Sequence, residues 1–176
     1  MRNRLTRQLC WILSIGVVIG AQAASPVAPG GGLSSSERAS YLADVQRQYP
    51  ALDERQALLK QCNQLLQTYA LRAGYQVGQR DPHDVLYQLS LNGPGELLVR
   101  EESRALQGPE VSVHNRRVAV FGLDPYVQYE CPLSGIRCVF KDPTDGSPLL
   151  SVVRDQEGAA ALAKALSFLL RNLQRH

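Results

Sequence analysis

Histidine is scarce in this chain, and the sequence motifs of the common enzyme classes are missing from it. The only histidines are His83, His114 and His176. The chain contains no Gly-x-Ser-x-Gly, Ser-x-x-Lys or His-Glu-x-x-His motif and no phosphate-binding glycine-rich loop. The loop at residues 142–146 departs from the Asp-x-Asp-x-Asp-Gly pattern of calcium sites. We therefore predict no catalytic residue, no cofactor and no metal, and an enzyme of unrecognised type is the least favoured alternative.

The chain also lacks an excess of positive charge once its first residues are set aside. It contains 19 lysines and arginines against 16 aspartates and glutamates. Three of the arginines are Arg2, Arg4 and Arg7, and the 16 basic residues that remain equal the acidic residues in number. Binding to a phosphate backbone depends on a surplus of cations, which this composition does not supply. We expect no nucleic-acid partner.

The first 23 residues have the pattern of a secretory leader. Arginines precede an uncharged apolar run at residues 11–19, and Ala21-Gln22-Ala23 offers the small-x-small site that signal peptidases cut. The apolar run is short for a membrane span, which needs about 20 mostly apolar residues. We predict that residues 1–23 are a cleaved signal peptide. An uncleaved anchor is the alternative, and only a retained leader would attach the protein to a membrane.

Two further absences favour the bacterial periplasm as the destination. The chain has no Asn-x-Ser/Thr acceptor for glycosylation. It has 16 arginines but only three lysines, a bias that suggests a GC-rich genome. Together with the leader, these features predict a periplasmic protein in a compartment that permits disulfides.

Behind the leader, the composition divides the chain into a tether and a folded part. Residues 24–33 read ASPVAPGGGL, and this proline- and glycine-rich sequence predicts a flexible tether. Residues 34–176 retain the apolar periodicity of a folded chain, and we predict that they form a single α+β domain.

Helical patterns begin and end this folded part. Apolar spacing predicts a first helix at residues 36–49, which opens with a capping box of Ser34 and Glu37. A second helix begins after Asp53 and is predicted to end at a Gly74 cap. Its apolar stripe consists of Leu58, Cys62, Leu65, Leu66, Tyr69 and Ala73. Leucines at positions 162, 166, 169 and 173 predict a final helix that packs on a sheet.

Between these helices the apolar period changes from 3.6 to 2, which predicts β-strands. The predicted strands are residues 85–91, 96–102, 111–113, 117–121, 126–131, 136–141 and 149–154. His114-Asn115-Arg116 is interpreted as one of the turns between them. Short turns indicate antiparallel neighbours, because parallel strands need longer crossovers. The predicted fold is α+β: two N-terminal helices, a six- or seven-stranded antiparallel meander whose strong curvature is left open, and a C-terminal helix on the sheet.

Three cysteines remain after the leader: Cys62, Cys131 and Cys138. Cys131 and Cys138 lie in phase with the apolar side chains of one hairpin, so they face the same way and can form a disulfide across its loop. Such a bond contributes about 2 kcal/mol on chain-entropy grounds. Cys62 belongs to a helical apolar stripe, where a free core thiol is expected. Three reduced thiols, or a bridge from Cys62 to the hairpin, are the alternatives.

The segment Asp81-Pro82-His83-Asp84 gathers side chains of the types that bind metals. Neighbouring residues of a single turn rarely complete a closed metal site. We interpret the segment as a turn in which Asp81 or Asp84 binds the local backbone.

The hairpin that carries Cys131 and Cys138 also offers the best candidate contact surface. Aromatic residues and arginine dominate protein-binding hot spots, and we predict a partner surface of Tyr126, Leu133, Ser134 and Arg137. The expected function is that of an exported periplasmic domain that binds another cell-envelope protein, as an assembly factor or an inhibitor. The alternative is a periplasmic carrier that holds a small apolar ligand between the sheet and its helices.

Overall fold

The structure is a computed structural model, and it describes residues 34–175. The predicted signal peptide at residues 1–23 and the predicted tether at residues 24–33 lie outside the described residues. The predicted α+β class is confirmed, with three helices and two three-stranded antiparallel sheets. The elements are α1 (Ser35–Gln48), α2 (Glu54–Thr68), β1 (His83–Leu91), β2 (Glu96–Ala105), β3 (Val111–Ala119), β4 (Tyr129–Glu130), β5 (Arg137–Lys141), β6 (Pro148–Val153) and α3 (Gln156–Leu173).

The first two helices have the capping residues that the sequence predicts, although α1 begins at Ser35, one residue before the predicted start. Ser34 and Glu37 form the complete capping box of α1, and the Asp53 carboxylate accepts the Gln56 N–H at 2.8 Å to open α2. These bonds satisfy first-turn N–H groups that have no partner inside a helix. The predicted end of α2 was wrong, because the helix ends at Thr68 and Gly74 belongs to a separate 3-10 helix at Ala73–Tyr75.

The strands form two sheets, so the single meander is not confirmed. The N-terminal sheet has the order β1-β2-β3, and the C-terminal sheet has the order β4-β5-β6. The predicted turn at His114 was wrong, because β3 continues through this residue, which pairs with Glu101. Since β2 extends as far as Ala105, it gives residues 111–119 a continuous partner. The chain instead reverses between Ala105 and Val111, in a turn that contains Gly108 with a φ of +100°.

The C-terminal helix supplies much of the core, and it contacts α2 and β5. Its buried face includes the leucines at positions 162, 166, 169 and 173 that the periodicity predicts. The C-terminal sheet contributes the buried side chains of Cys138, Phe140, Leu150 and Val152. Each fully buried leucine or phenylalanine contributes about 1.5–3 kcal/mol, so this helix is a main source of stability.

The end of α2, the end of β6 and the start of α3 are joined at one point. The Tyr69 carbonyl accepts the Val153 N–H at 2.9 Å, and Asp155 caps α3 by accepting the Gly158 N–H at 2.7 Å. The Tyr69 ring lies against Gly158 so closely that a Cβ there would stand 2.4 Å from a ring carbon. The absence of a side chain at Gly158 therefore lets the two helices approach.

Candidate functional site: the open edge of the N-terminal sheet

The outer edge of β1 is covered by the segment that precedes it. The Asn63 side chain of α2 donates to the Leu89 carbonyl at 2.9 Å and accepts the Leu89 N–H at 2.7 Å. Farther along the strand, the Val85 N–H donates to the Leu71 carbonyl at 2.8 Å. These bonds satisfy backbone groups that an edge strand otherwise presents to other chains.

The opposite edge of the sheet is β3, and within residues 34–175 no strand pairs with its outer side. Eight of its nine residues are exposed, and Val118 alone is buried. An edge of this length leaves a row of backbone donors and acceptors available for pairing with another strand.

Two hydrogen bonds at the ends of the β2–β3 pair define which groups face outward. The Val120 N–H donates to the Gly95 carbonyl at 2.8 Å, and the Ala105 N–H donates to the Glu110 carbonyl at 3.4 Å. Hydrogen-bonded pairs alternate along an antiparallel ladder, so the even-numbered residues of β3 bond to β2. The outward backbone groups belong to Val111, Val113, Asn115, Arg117 and Ala119.

The side chains of β3 alternate between the two faces of the sheet. Val111 and Val113 are 52% and 43% exposed on one face. His114 and Arg116 lie on the other face, where Ser112 Oγ is 3.0 Å from His114 Nε2. An added strand would therefore meet Val111 and Val113 at one end of the first face, which continues with the polar Asn115 and Arg117, and mainly polar side chains on the other face.

A groove of about 610 Å³ lies on the His114 face, with the C-terminal sheet along its other side. Its floor is a cross-strand row in which Glu101 pairs with both Tyr87 and His114. The Tyr87 hydroxyl donates to Glu101 Oε2 at 2.9 Å, and burial raises the pKa of Tyr87 to about 12. The phenol therefore stays protonated at neutral pH and holds the carboxylate in place.

The edge carries positive charge, because β3 contains two arginines and no acidic residue. Arg116 donates to the Pro148 carbonyl at 2.8 Å and lies 3.8 Å from an Asp142 oxygen. Arg117 lies 3.8 Å from Glu96 and remains largely exposed. These contacts orient the guanidinium groups and partly balance their charge.

All four residues of the predicted partner surface are exposed, and two of them line one groove. Tyr126 and Leu133 are 40% and 88% exposed, and Ser134 and Arg137 are also exposed. Ser134 and Arg137 line a second groove of about 330 Å³, and neither Tyr126 nor Leu133 lines it. The assignment of these four residues to a partner surface stays a prediction.

The predicted disulfide between Cys131 and Cys138 is confirmed. It closes the loop that carries Leu133, whose carbonyl accepts a hydrogen bond from Arg154 at 2.8 Å. The structure contradicts a bridge from Cys62, which is buried and free, and burial raises the pKa of its thiol. A buried thiol with a raised pKa is a poor nucleophile at neutral pH.

In the Asp81–Asp84 segment the local bond is made by the His83 ring, and the Asp84 carboxylate binds backbone 11 residues away instead of the predicted local backbone. His83 Nδ1 is 2.8 Å from the Asp81 carbonyl, and the Asp84 carboxylate accepts the Ala73 N–H at 2.8 Å. In the described part of the chain, no group of three or more histidine, cysteine and acidic side chains is placed to hold a metal. No helix among the same residues is long and apolar enough to cross a membrane.

Sequence reasoning missed the open edge because the polar residues at 114–116 were interpreted as a turn. A signal for the continuous strand was present. Residues 111–119 contain neither glycine nor proline, whereas Gly108 and Pro109 precede them and Gly122 follows them. Placing the turn at these breakers predicts one long strand, and its central polar residues then indicate a strand that faces solvent.

No protein-family model, curated protein or solved structure matches the chain. The functional assignment therefore rests on the residues and geometry described above.

Proposed function

We propose that the protein is an exported binding module that acts on another protein of the cell envelope, as an assembly factor or an inhibitor. In this proposal, the partner adds a strand to the outer side of β3. The observation that carries the proposal is the contrast between the two sheet edges: Asn63 and Leu71 cover the edge of β1, and nothing among residues 34–175 pairs with the nine-residue edge of β3.

Strand addition is a known mode of peptide recognition, and it uses the backbone for affinity and alternate side chains for specificity. The outward N–H and C=O groups between Val111 and Ala119 provide the backbone part. A typical hydrogen bond contributes about 0.5–1.5 kcal/mol net, so a ladder of several bonds supports a stable complex. Val111 and Val113 provide apolar contacts on one face of the added strand.

The proposed location is the periplasm. The pattern of residues 1–23 supports export, and the Cys131–Cys138 disulfide supports an oxidising compartment, where such bonds persist. In this proposal the protein meets a membrane only if the leader is retained as an anchor. The exposed Leu133 loop, with Ser134 and Arg137, is proposed as a second contact with the partner.

A carrier of a small apolar ligand is less well supported. Such sites are concave and are lined mainly by apolar side chains. The groove of about 610 Å³ is lined in part by Glu101, His114, Arg116 and Arg137, which are charged or polar.

Affinity capture from intact cell envelope tests the proposal with two variants of Asn115. Asn115→Pro removes an outward N–H, and proline is tolerated at an edge strand. Asn115→Ala keeps that N–H and is the matched control. We expect the wild type and Asn115→Ala to capture the same envelope protein and Asn115→Pro to lose it.

Equal capture by Asn115→Pro and Asn115→Ala would contradict strand addition at β3. Loss of the captured protein on Leu133→Asp alone would move the binding site to the disulfide loop. If no protein is captured and a native mass spectrum contains a bound small molecule, the carrier becomes the better account.

A further inference from the structure

A third groove, of about 400 Å³, lies between α2 and the face of the N-terminal sheet opposite to His114. Residues from α2, β1, β2 and the segment between α2 and β1 line it. The charged residues among them are Lys60, Arg72, Arg100, Glu102 and Arg104. It is separate from the outer edge of β3, and no residue of β3 lines it.

The groove concentrates positive charge, although the acidic and basic residues that follow residue 23 are equal in number. Arg100 and Arg104 both form ion pairs with the single carboxylate of Glu102, the first at 3.0 Å. Arg72 lies 3.4 Å from Asp84, which also accepts a backbone N–H. Four cationic side chains therefore face two carboxylates, and one of those carboxylates is shared by two guanidinium groups.

Two of the cationic side chains that line the groove have a donor that no other residue in the described part of the chain binds. The Nε atom of Arg100 is buried and makes no hydrogen bond to any part of the chain that the structure describes. Lys60 lines the groove and forms no ion pair within residues 34–175. A buried donor without a partner is costly in a native protein. Lys60 is exposed, so its ammonium group is accessible to a ligand in the groove.

We propose that this groove binds a small solute through a doubly charged oxyanion group, a phosphate or a pair of carboxylates. Guanidinium groups match such oxygens with paired hydrogen bonds, and an ammonium group adds a mobile positive charge. Glu102 holds Arg100 and Arg104 in position before the anion arrives. The site is distinct from the proposed strand-binding edge and does not depend on it.

Calorimetric titration at low ionic strength tests the site, with the protein purified as the cell produces it. Inorganic phosphate and succinate are titrated separately, because they distinguish a phosphate from a dicarboxylate as the preferred group. We expect saturable binding of at least one of them at a single site. Lys60→Gln should weaken this binding about tenfold, because it removes one charge-assisted hydrogen bond to the anion.

Two further variants separate the site from general charge effects. Arg80→Gln removes the same charge from an exposed residue outside the groove, and it should leave the affinity unchanged. Glu102→Gln keeps an acceptor oxygen that can hold the two guanidinium groups in position but removes the competing negative charge, and it should strengthen binding. Absence of saturable binding with both anions would overturn the proposal, as would equal weakening by Lys60→Gln and Arg80→Gln. Neither result bears on capture through β3, which Asn115→Pro tests.

Discussion

At the scale of single residues, Asn63 distinguishes the covered edge from the open one. Its amide group makes two hydrogen bonds to the backbone of Leu89, which is buried. Asn63→Ala leaves the N–H and C=O of Leu89 without these partners. We expect the free energy of unfolding to fall by about 1–3 kcal/mol, as for other unsatisfied buried groups.

Urea unfolding measures this loss, and the exposed neighbour Gln64 provides the control. Gln64→Ala should change the free energy of unfolding by less than about 0.5 kcal/mol. If both variants have the same stability as the wild type, the Asn63 bonds do not cover the edge of β1 in solution.

Gly95 is a residue at which both backbone and packing exclude a side chain. Its φ is +69°, and a Cβ there would lie 2.0 Å from a ring carbon of Phe121. Gly146 has a similar φ, of +74°, but a Cβ there meets nothing within 4 Å. We expect Gly95→Ala to lower the free energy of unfolding more than Gly146→Ala, by about 1 kcal/mol or more. Equal losses in chemical denaturation would contradict the ring contact.

Tyr87 makes the free energy of unfolding depend on pH in the alkaline range. Its pKa is raised from 10.0 to about 12, first because it is buried. The folded protein therefore keeps the phenol proton at pH values where the unfolded chain releases it. The resulting stability is fully present below pH 10 and is lost as the pH rises through about 12.

Unfolding in urea at a series of pH values between 9 and about 12 measures this dependence. Tyr87→Phe should have a smaller loss of stability across this range than the wild type. The loss should not disappear, because burial also raises the pKa of Tyr41 and Tyr49. An identical pH profile in the variant would contradict the assignment to Tyr87.

At the scale of elements, the β4–β5 hairpin and α2 give the three described cysteines different reactivities. Cys131 and Cys138 are bonded, and Cys62 is buried in α2. In the native protein without reductant, we expect an alkylating reagent to modify none of them. Unfolding without reductant should expose Cys62 alone, and unfolding with reductant should expose all three. Peptide mapping measures each site, and modification of Cys131 before reduction would contradict the bond.

The helices and the hairpin are the elements that the sequence predicts well, because their signals are local. Asp53 can be identified as a cap from the few residues that follow it, and the structure confirms this prediction. The Cys131–Cys138 pair follows from strand alternation within one hairpin. The continuity of β3 depends instead on how far β2 extends to pair with it. That pairing is a tertiary property, and the polar residues at 114–116 gave the wrong local signal.

At the scale of the whole molecule, the sequence predicts six or seven strands but not their division into two sheets. The linking segment between β3 and β4 contains a buried Val127 whose N–H donates to Ser167 of α3 at 3.0 Å. This contact connects the segment to a helix that lies 40 residues farther along the chain. Local periodicity cannot predict such a contact. The open edge follows from the same division, because β3 and β4 do not pair with each other.

Local sequence patterns also do not predict the grooves. Arg100 and Arg104 belong to β2, whereas Lys60 belongs to α2, so their proximity depends on how α2 packs against the sheet. Their residue types alone predict only a solvated surface. The sequence gives the net charge, but the net charge does not show that several cations lie together in one groove.

Amide hydrogen exchange along β3, measured by NMR, tests the central claim most directly. In the free protein we predict fast exchange at the outward amides of Val113, Asn115 and Arg117 and slow exchange at Ser112, His114 and Arg116. In the complex with the captured envelope protein, the outward amides should become protected. Outward amides that are already protected in the free protein, or that stay fast in the complex, would contradict an open edge that receives a strand.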